Sequence, residues 1–530
     1  MSRPWLPLLP VLALFLLVGT RRLDLPGLWP DEASDAVYGL EVARGLPPSD
    51  NDWSLSFAGR TWPLRTPHPY DFSAFNPYLA AVAFRLGGVG VESLRLAALL
   101  VAAAGIAAVY ALALPFLGAG GAVVAALFLA LDPAYLLHAR VGFFAAELFL
   151  VAPTVAAAAL AWRWRRGEGG PASLCFAAFL LGASLNVSTK ALAPALAYPL
   201  AFLAAAGPGR RPSRRLLLAA AAAAALGAAN FLAFNALRGA EVPRALAAAL
   251  TAPTAAGVDN LSPAANLGAR LAQLARLMTG AAAPAADPPP LHLALPLLFL
   301  ASFAALAWRC RRDFAGRPLV VFALLAASLQ LLMTAFTPMS LDPQHLLVLW
   351  PCVAVLLAAA AAWLAETVER AAPGRGRLAA GAALALLLAS AARTDAAYFA
   401  RLGETGGLGA WSDASYRLAA ELDREAAVEP VALAWGVAQT VFVLTEGRVK
   451  PVAIGVARRS VPERGYAALE ERAQAPGARF ITAAPEGDAA RAYLDRLRRS
   501  AAESGRRLVA SYEAADRAGR PVYRVWRLAP

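Results

Sequence analysis

Charge is what this 530-residue sequence has least of: 16% of it is charged, against 59% hydrophobic residues and a mean hydropathy of +0.53. An ordinary soluble protein carries about a quarter charged residues. The deficit excludes a typical soluble enzyme, a disordered chain and a collagen-like fibre. Cysteine is scarce too, with Cys175, Cys310 and Cys352 all in or beside apolar runs, so no disulfide framework is available to the polar regions. Lysine is nearly missing: Lys190 and Lys450 are the two among 49 basic residues. The four histidines, His68, His138, His292 and His345, show no ligand spacing such as H-x-x-H.

Long apolar runs take the place of charge. A bilayer core needs about 20 apolar residues in a helix. Candidate spans read at 4–19, 93–117, 119–137, 143–163, 173–188, 190–206, 215–237, 291–308, 318–337, 344–365 and 377–392, about eleven in all. A signal peptide competes for the first run, but no A-x-A cleavage site follows it, and it reads as an uncleaved span. Arginine clusters at 163–166, 210–215, 309–317 and 370–377 fall in alternate connections. The positive-inside rule makes that side cytoplasmic. The 21–92 loop, the 238–290 loop and the tail from 394 then lie outside. Ten of the thirteen net positive charges belong to residues 1–393. They mark topology, and nucleic acid is not an expected partner.

The chain therefore divides at 393/394 into a polytopic membrane helical bundle and a small C-terminal extracytoplasmic α/β domain, a mainly α fold overall. In the tail, strand-like runs at 430–435, 452–454, 479–483, 508–513 and 522–528 alternate with helical patterns through 444, around 462–473 and at 488–504. The tail has no Gly-rich phosphate loop and no nucleophile elbow, which suits support or recognition.

The first external loop opens Trp29-Pro30-Asp31-Glu32-Ala33 and reads as a short helix to Gly45. Asp31 suits a helix N-cap and Glu32 a first-turn acid. Equally, two acids just beyond a span stand where a hydroxyl acceptor could meet a lipid-borne donor, one of them as general base. Asp35, one turn on, shares that face. Arg140, between His138 and Glu147, is anomalous in a short external connection and suits a phosphate or carboxylate, or snorkelling to headgroups. Lys190, in Ser188-Thr189-Lys190, is a compact donor suited to a phosphate that must be held and released.

These residues carry a resemblance. The chain resembles the GT-C superfamily of membrane glycosyltransferases, in particular the dolichyl-phosphate-mannose protein mannosyltransferase and aminoarabinose-transferase-like group. The matching pieces are Trp29-Pro30-Asp31-Glu32-Ala33, His68-Pro69 through Asn76-Pro77-Tyr78 to Phe84-Arg85-Leu86-Gly87, and Ser93-Leu94-Arg95. Leu131-Asp132-Pro133, His138-Ala139-Arg140, Thr189-Lys190 and the run from His345 to Trp350-Pro351 follow in family order. The chain departs from the family at Glu147, the first acid after Arg140, and at His345, where arginine or tyrosine is more usual.

The resemblance implies transfer of a hexosyl or pentosyl group from a polyprenyl-phosphate donor to an extracytoplasmic glycan, lipid or protein acceptor. Asp31 would be the base and Glu32 its catalytic neighbour. Arg140 and Lys190 would bind the donor phosphate, and Asp35 and His68 are further substrate-binding candidates. It implies a multi-pass protein of the bacterial cytoplasmic membrane with lipid as its surroundings. A divalent metal ion is an open cofactor, with no ligand set assigned. The competing function is a transporter or flippase of a lipid-linked glycan; that would expect ionisable residues deep in several spans. A non-catalytic assembly subunit is a third.

Overall fold

A computed structural model describes residues 4–47, 53–67, 72–207, 210–251, 258–286, 291–313, 316–337, 342–427, 429–454, 471–473, 475 and 477–530. His68 and most of the helix expected around 462–473 lie outside these residues.

The chain begins with the apolar helix α1 (Leu8–Gly19), whose buried face is Leu8, Val11, Phe15 and Gly19, spaced for one side of a helix. The first external loop holds α2 (Pro30–Arg44), two short β-hairpins (β1 Ser54–Phe57 with β2 Arg60–Pro63, β3 Thr66–Pro67 with β4 Phe72–Ser73) and α3 (Phe75–Gly87). Pro30 at the first helical position and Gly45 in the left-handed conformation just after Arg44 bound α2, as their backbone preferences dictate. Trp29, not Asp31, is the N-cap residue, so Asp31 sits inside the first turn with its carboxylate off the cap.

The helix α4 (Val91–Leu131) is 41 residues long, roughly 60 Å of helix and about twice a bilayer core. It breaks at Gly118, whose φ of 66° and ψ of −180° no helix can hold. Beyond the break the chain returns: Tyr135 donates its hydroxyl to the Ala102 carbonyl at 2.8 Å. Spans expected at 93–117 and 119–137 are thus the two arms of one hairpin. Its second arm ends early, because Asp132 accepts from the Tyr135 amide and Pro133 starts α5 (Pro133–Ala139).

There follow α6 (Glu147–Arg165), α7 (Pro171–Ser184), α8 (Leu192–Ala205), α9 (Arg214–Gly227), α10 (Ala229–Leu237), α11 (Glu241–Thr251), α12 (Pro263–Met278), α13 (Ala294–Cys310), α14 (Pro318–Thr334), α15 (Trp350–Ala371) and α16 (Gly376–Thr405). Among the described residues, three helices are long and apolar enough to cross a membrane: α4, the 343–371 segment and α16. The pair α9 and α10 adds a fourth if its 71° bend is one broken span, and five shorter apolar helices accompany them. The architecture is a multi-pass helical bundle with a small C-terminal sheet. The count of eleven spans goes further than these lengths do.

The tail follows α16 with α17 (Ala414–Arg424), β5 (Val431–Ala432), α18 (Val437–Leu444), β6 (Val452–Ala453), β7 (Arg479–Ala483), α19 (Asp488–Glu503), β8 (Arg507–Ala515) and β9 (Pro521–Ala529). One five-stranded sheet runs β6-β5-β7-β9-β8, parallel around β5 and antiparallel from β7 onward. Strand alternation feeds two cores: Ile481 and Val525 pack with Leu418 and Val441, while Phe480 and Trp526 pack with Tyr493 and Leu497.

Candidate functional site: an acidic helix start and a cationic cavity

At the start of α2 the two acids have different surroundings. Glu32 is wholly buried and bonded on both oxygens. Arg95 donates to it through Nε (3.2 Å) and a terminal nitrogen (2.8 Å), and the Trp29 amide reaches Oε2 at 3.3 Å. Arg95 also donates to the carbonyls of Leu23, Pro26 and Gly27 at 3.2, 2.6 and 3.1 Å. Asp31 is half-buried and accepts from the Trp29 indole N–H at 3.0 Å. Asp35 is buried and accepts from Asn76 Nδ2 at 2.7 Å, which ties α2 to α3.

Arg140 is fully buried. Its guanidinium donates to the carbonyls of Gly19, Arg21 (2.6 Å), Arg22 (2.8 Å) and Leu25 (3.0 Å), and lies 4.7 Å over the Phe399 ring. Two arginines from α4 and the turn after α5 therefore hold residues 19–27 by their backbone. This segment leads straight into Asp31.

Lys190 is placed differently. It lies in a short 3₁₀ turn, Thr189–Ala191, where Ser188 Oγ accepts from its amide at 3.2 Å. Its ammonium is 2.6 Å from Glu147 at the start of α6, and His345 Nε2 is 3.8 Å from the same carboxylate. Lys190, His345 and Arg270 line a cavity of about 590 Å³ whose remaining wall includes Leu192, Leu196, Leu246, Leu250 and Phe336. Arg270 comes from α12; it donates to the carbonyls of Thr334 (2.8 Å) and Asp342 (3.1 Å) and to Gln273 (2.8 Å). Burial brings its guanidinium down to about 10, against the pull of Asp342 and Glu147. Two cations and a histidine in the lining of an apolar cavity suit an anion carried on a hydrocarbon chain.

An aromatic contact runs from the residue before α2 to the turn that precedes α6. Trp29 meets Phe144 edge-on at 5.8 Å, and Phe144 stands one turn before Glu147. Trp350 Nε1 donates to Asp132 at 2.6 Å, so the separated Asp132-Pro133 and Trp350-Pro351 motifs touch. Among the sequence candidates, Asp31, Glu32 and Asp35 share α2, Arg140 anchors the loop that leads to it, and Lys190 lines the cavity. Of the further residues Arg95, Arg270, Trp411 and Trp435, the sequence marks only Arg95, through the Ser93-Leu94-Arg95 motif.

Metal ligation fits poorly at the acidic pair, since both Glu32 oxygens are engaged. Among the described residues no group of three or more His, Cys, Asp or Glu could hold an ion.

No family model matches the chain, and no curated protein matches it. Solved structures do. The chain is similar to ArnT from Cupriavidus metallidurans in the apo state, with 16% identity and a TM-score of 0.61, over 98% of this chain and 97% of that one. The same protein bound to undecaprenyl phosphate gives 15% identity and a TM-score of 0.62, over 99% and 98%. The oligosaccharyltransferase of Archaeoglobus fulgidus, in complex with Zn and sulfate, gives 14% and 0.51, over 89% of this chain and 68% of that one. These likenesses establish that the chain shares the fold of these proteins along nearly its whole length.

Proposed function

We propose that this protein is a membrane glycosyltransferase that moves a sugar from a polyprenyl-phosphate donor to an acceptor outside the cytoplasmic membrane of a bacterium. The observation that carries this is the cavity. It joins Lys190, Arg270 and His345 to an apolar wall, in a chain with the fold of a protein solved with undecaprenyl phosphate. Residues 1–393 would form the transferase domain, with 394–530 as an extracytoplasmic domain beside it. The donor is a hexosyl or pentosyl phosphate lipid, and the acceptor a glycan, lipid or protein.

Asp31 Oδ1 takes the acceptor hydroxyl proton, while Trp29 holds Oδ2. The acceptor oxygen bonds to the anomeric carbon as the bond from that carbon to the phosphate oxygen breaks. The electron pair leaves on polyprenyl phosphate, whose charge Lys190 and Arg270 stabilise. One displacement inverts the anomeric centre. Glu32 acts by fixing the start of α2 through Arg95, and Arg140 by fixing residues 19–27. Both are positioning residues in this reading, and Asp35 supports them through Asn76. In this reading Arg270, which lines the cavity with Lys190, takes the phosphate role that the resemblance implies for Arg140.

Asp31→Asn keeps the size and the Trp29 contact but cannot take a proton. Transfer by the purified variant is expected to fall by about 10²–10⁴-fold, with undecaprenyl phosphate binding retained. Wild-type transfer rates in that variant would remove Asp31 as the base.

A further inference from the structure

Beside Asp31, rings from four parts of the chain meet. Trp29 stacks on Trp411 with centroids 4.5 Å apart and planes 21° from parallel, and meets Trp435 at 5.9 Å and 67°. Phe144 closes the group against Trp29 and Trp411. Trp411 is buried, but Trp435 is 57% exposed. An indole is the largest apolar side chain, and leaving one in water beside a catalytic acid is unusual enough to need a reason.

The tail is built to hold Trp435 there. It follows β5, at the carboxyl end of the parallel strands, where α/β sheets present ligand-binding residues. Gly436 next to it is left-handed, with φ 74°, and a Cβ there would lie 2.1 Å from Pro30 Cβ. Only glycine lets the tail backbone press on the residue before Asp31. Tyr416 donates to the Asp24 carbonyl at 2.5 Å, and Arg44 pairs with Glu446 at 2.9 Å. These contacts fix the same docking from two other points.

We propose that Trp435, with Trp29, is an acceptor subsite that stacks against a sugar ring, so that the acceptor is a glycan or a glycolipid headgroup. This rests on Asp31 being the base. A pyranose ring carries weakly positive C–H groups on its faces and hydroxyls on its rim. The faces suit the negative face of an indole, and a rim hydroxyl can then reach the carboxylate hydrogen-bonded to Trp29. A serine or threonine side chain supplies the hydroxyl but no flat apolar face.

The test uses the full chain in lipid nanodiscs, with cellobiose and chitobiose as probes and saturation-transfer NMR as the readout. Wild-type protein is expected to saturate the ring protons of at least one disaccharide. Trp435→Ala should lower that transfer by about five-fold, and Trp435→Phe should keep most of it. Undecaprenyl phosphate binding should stay within about two-fold in both variants. Equal saturation with Trp435→Ala overturns the subsite. So does a wild-type protein that saturates neither disaccharide, including one that saturates a serine- and threonine-rich peptide instead. Failure of wild-type protein to bind undecaprenyl phosphate would count against the donor reading alone, because the disaccharide signal does not depend on it.

Discussion

Arg140 and Lys190 are the two cations that stand out from the sequence as phosphate ligands, and the fold puts them to opposite uses. Arg140 is sealed inside and turns both terminal nitrogens to four carbonyls of residues 19–25. Lys190 keeps 31% of its side chain exposed and faces a cavity, with the Glu147 carboxylate 2.6 Å away. A buried guanidinium whose hydrogen bonds go to backbone carbonyls is a fastener, and its charge strengthens each hydrogen bond it makes. A partly exposed ammonium beside a cavity can exchange a carboxylate for another anion. In the proposed reading the contrast separates a charge that would build the site from one that would serve it.

Three substitutions would break or sharpen this contrast, in descending order of stability cost. Arg95→Met leaves Glu32 buried without its partner and frees three carbonyls. It should cost about 3–5 kcal/mol, read as a large drop in thermal midpoint in detergent. Arg140→Lys keeps the charge but loses the planar fork that spans Gly19 to Leu25. The expected cost is about 2 kcal/mol, with undecaprenyl phosphate affinity in the surviving folded protein near wild type. Lys190→Gln keeps a donor for the buried Glu147 and should move the thermal midpoint least, while weakening undecaprenyl phosphate binding about tenfold or more. If Arg140→Lys lost phosphate binding and Lys190→Gln kept it, the two roles would be reversed.

What could be read in advance follows the range of the interaction. Local signals worked: Pro30 and Gly45 mark α2, and the tail strands β7, β8 and β9 lie within a few residues of their expected places. The gap between the expected spans 93–117 and 119–137 falls at Gly118, where the backbone breaks. The Glu32–Arg95 pair joins residues 63 positions apart, and no spacing rule in one sequence links them. Arg270 sits in what reads as an external loop, and only the hydrogen bonds from α12 to the Thr334 and Asp342 carbonyls bring it to the cavity. Trp435 looks like strand filler in an apolar run. Its exposure beside Trp29 exists only once the tail has docked.

The helix α16 gives that docking a vertical scale. Its 30 residues from Gly376 to Thr405 are unbroken, roughly 45 Å of rod against about 30 Å of hydrocarbon. In the proposed transferase such a rod would act as a depth gauge, carrying the tail mounted on its far end clear of the lipid. Trp435 and Asp31 would then meet an arriving molecule at one altitude over the membrane surface, so the length of a helix that bears neither residue would set how far from the bilayer a hydroxyl can sit and still be reached.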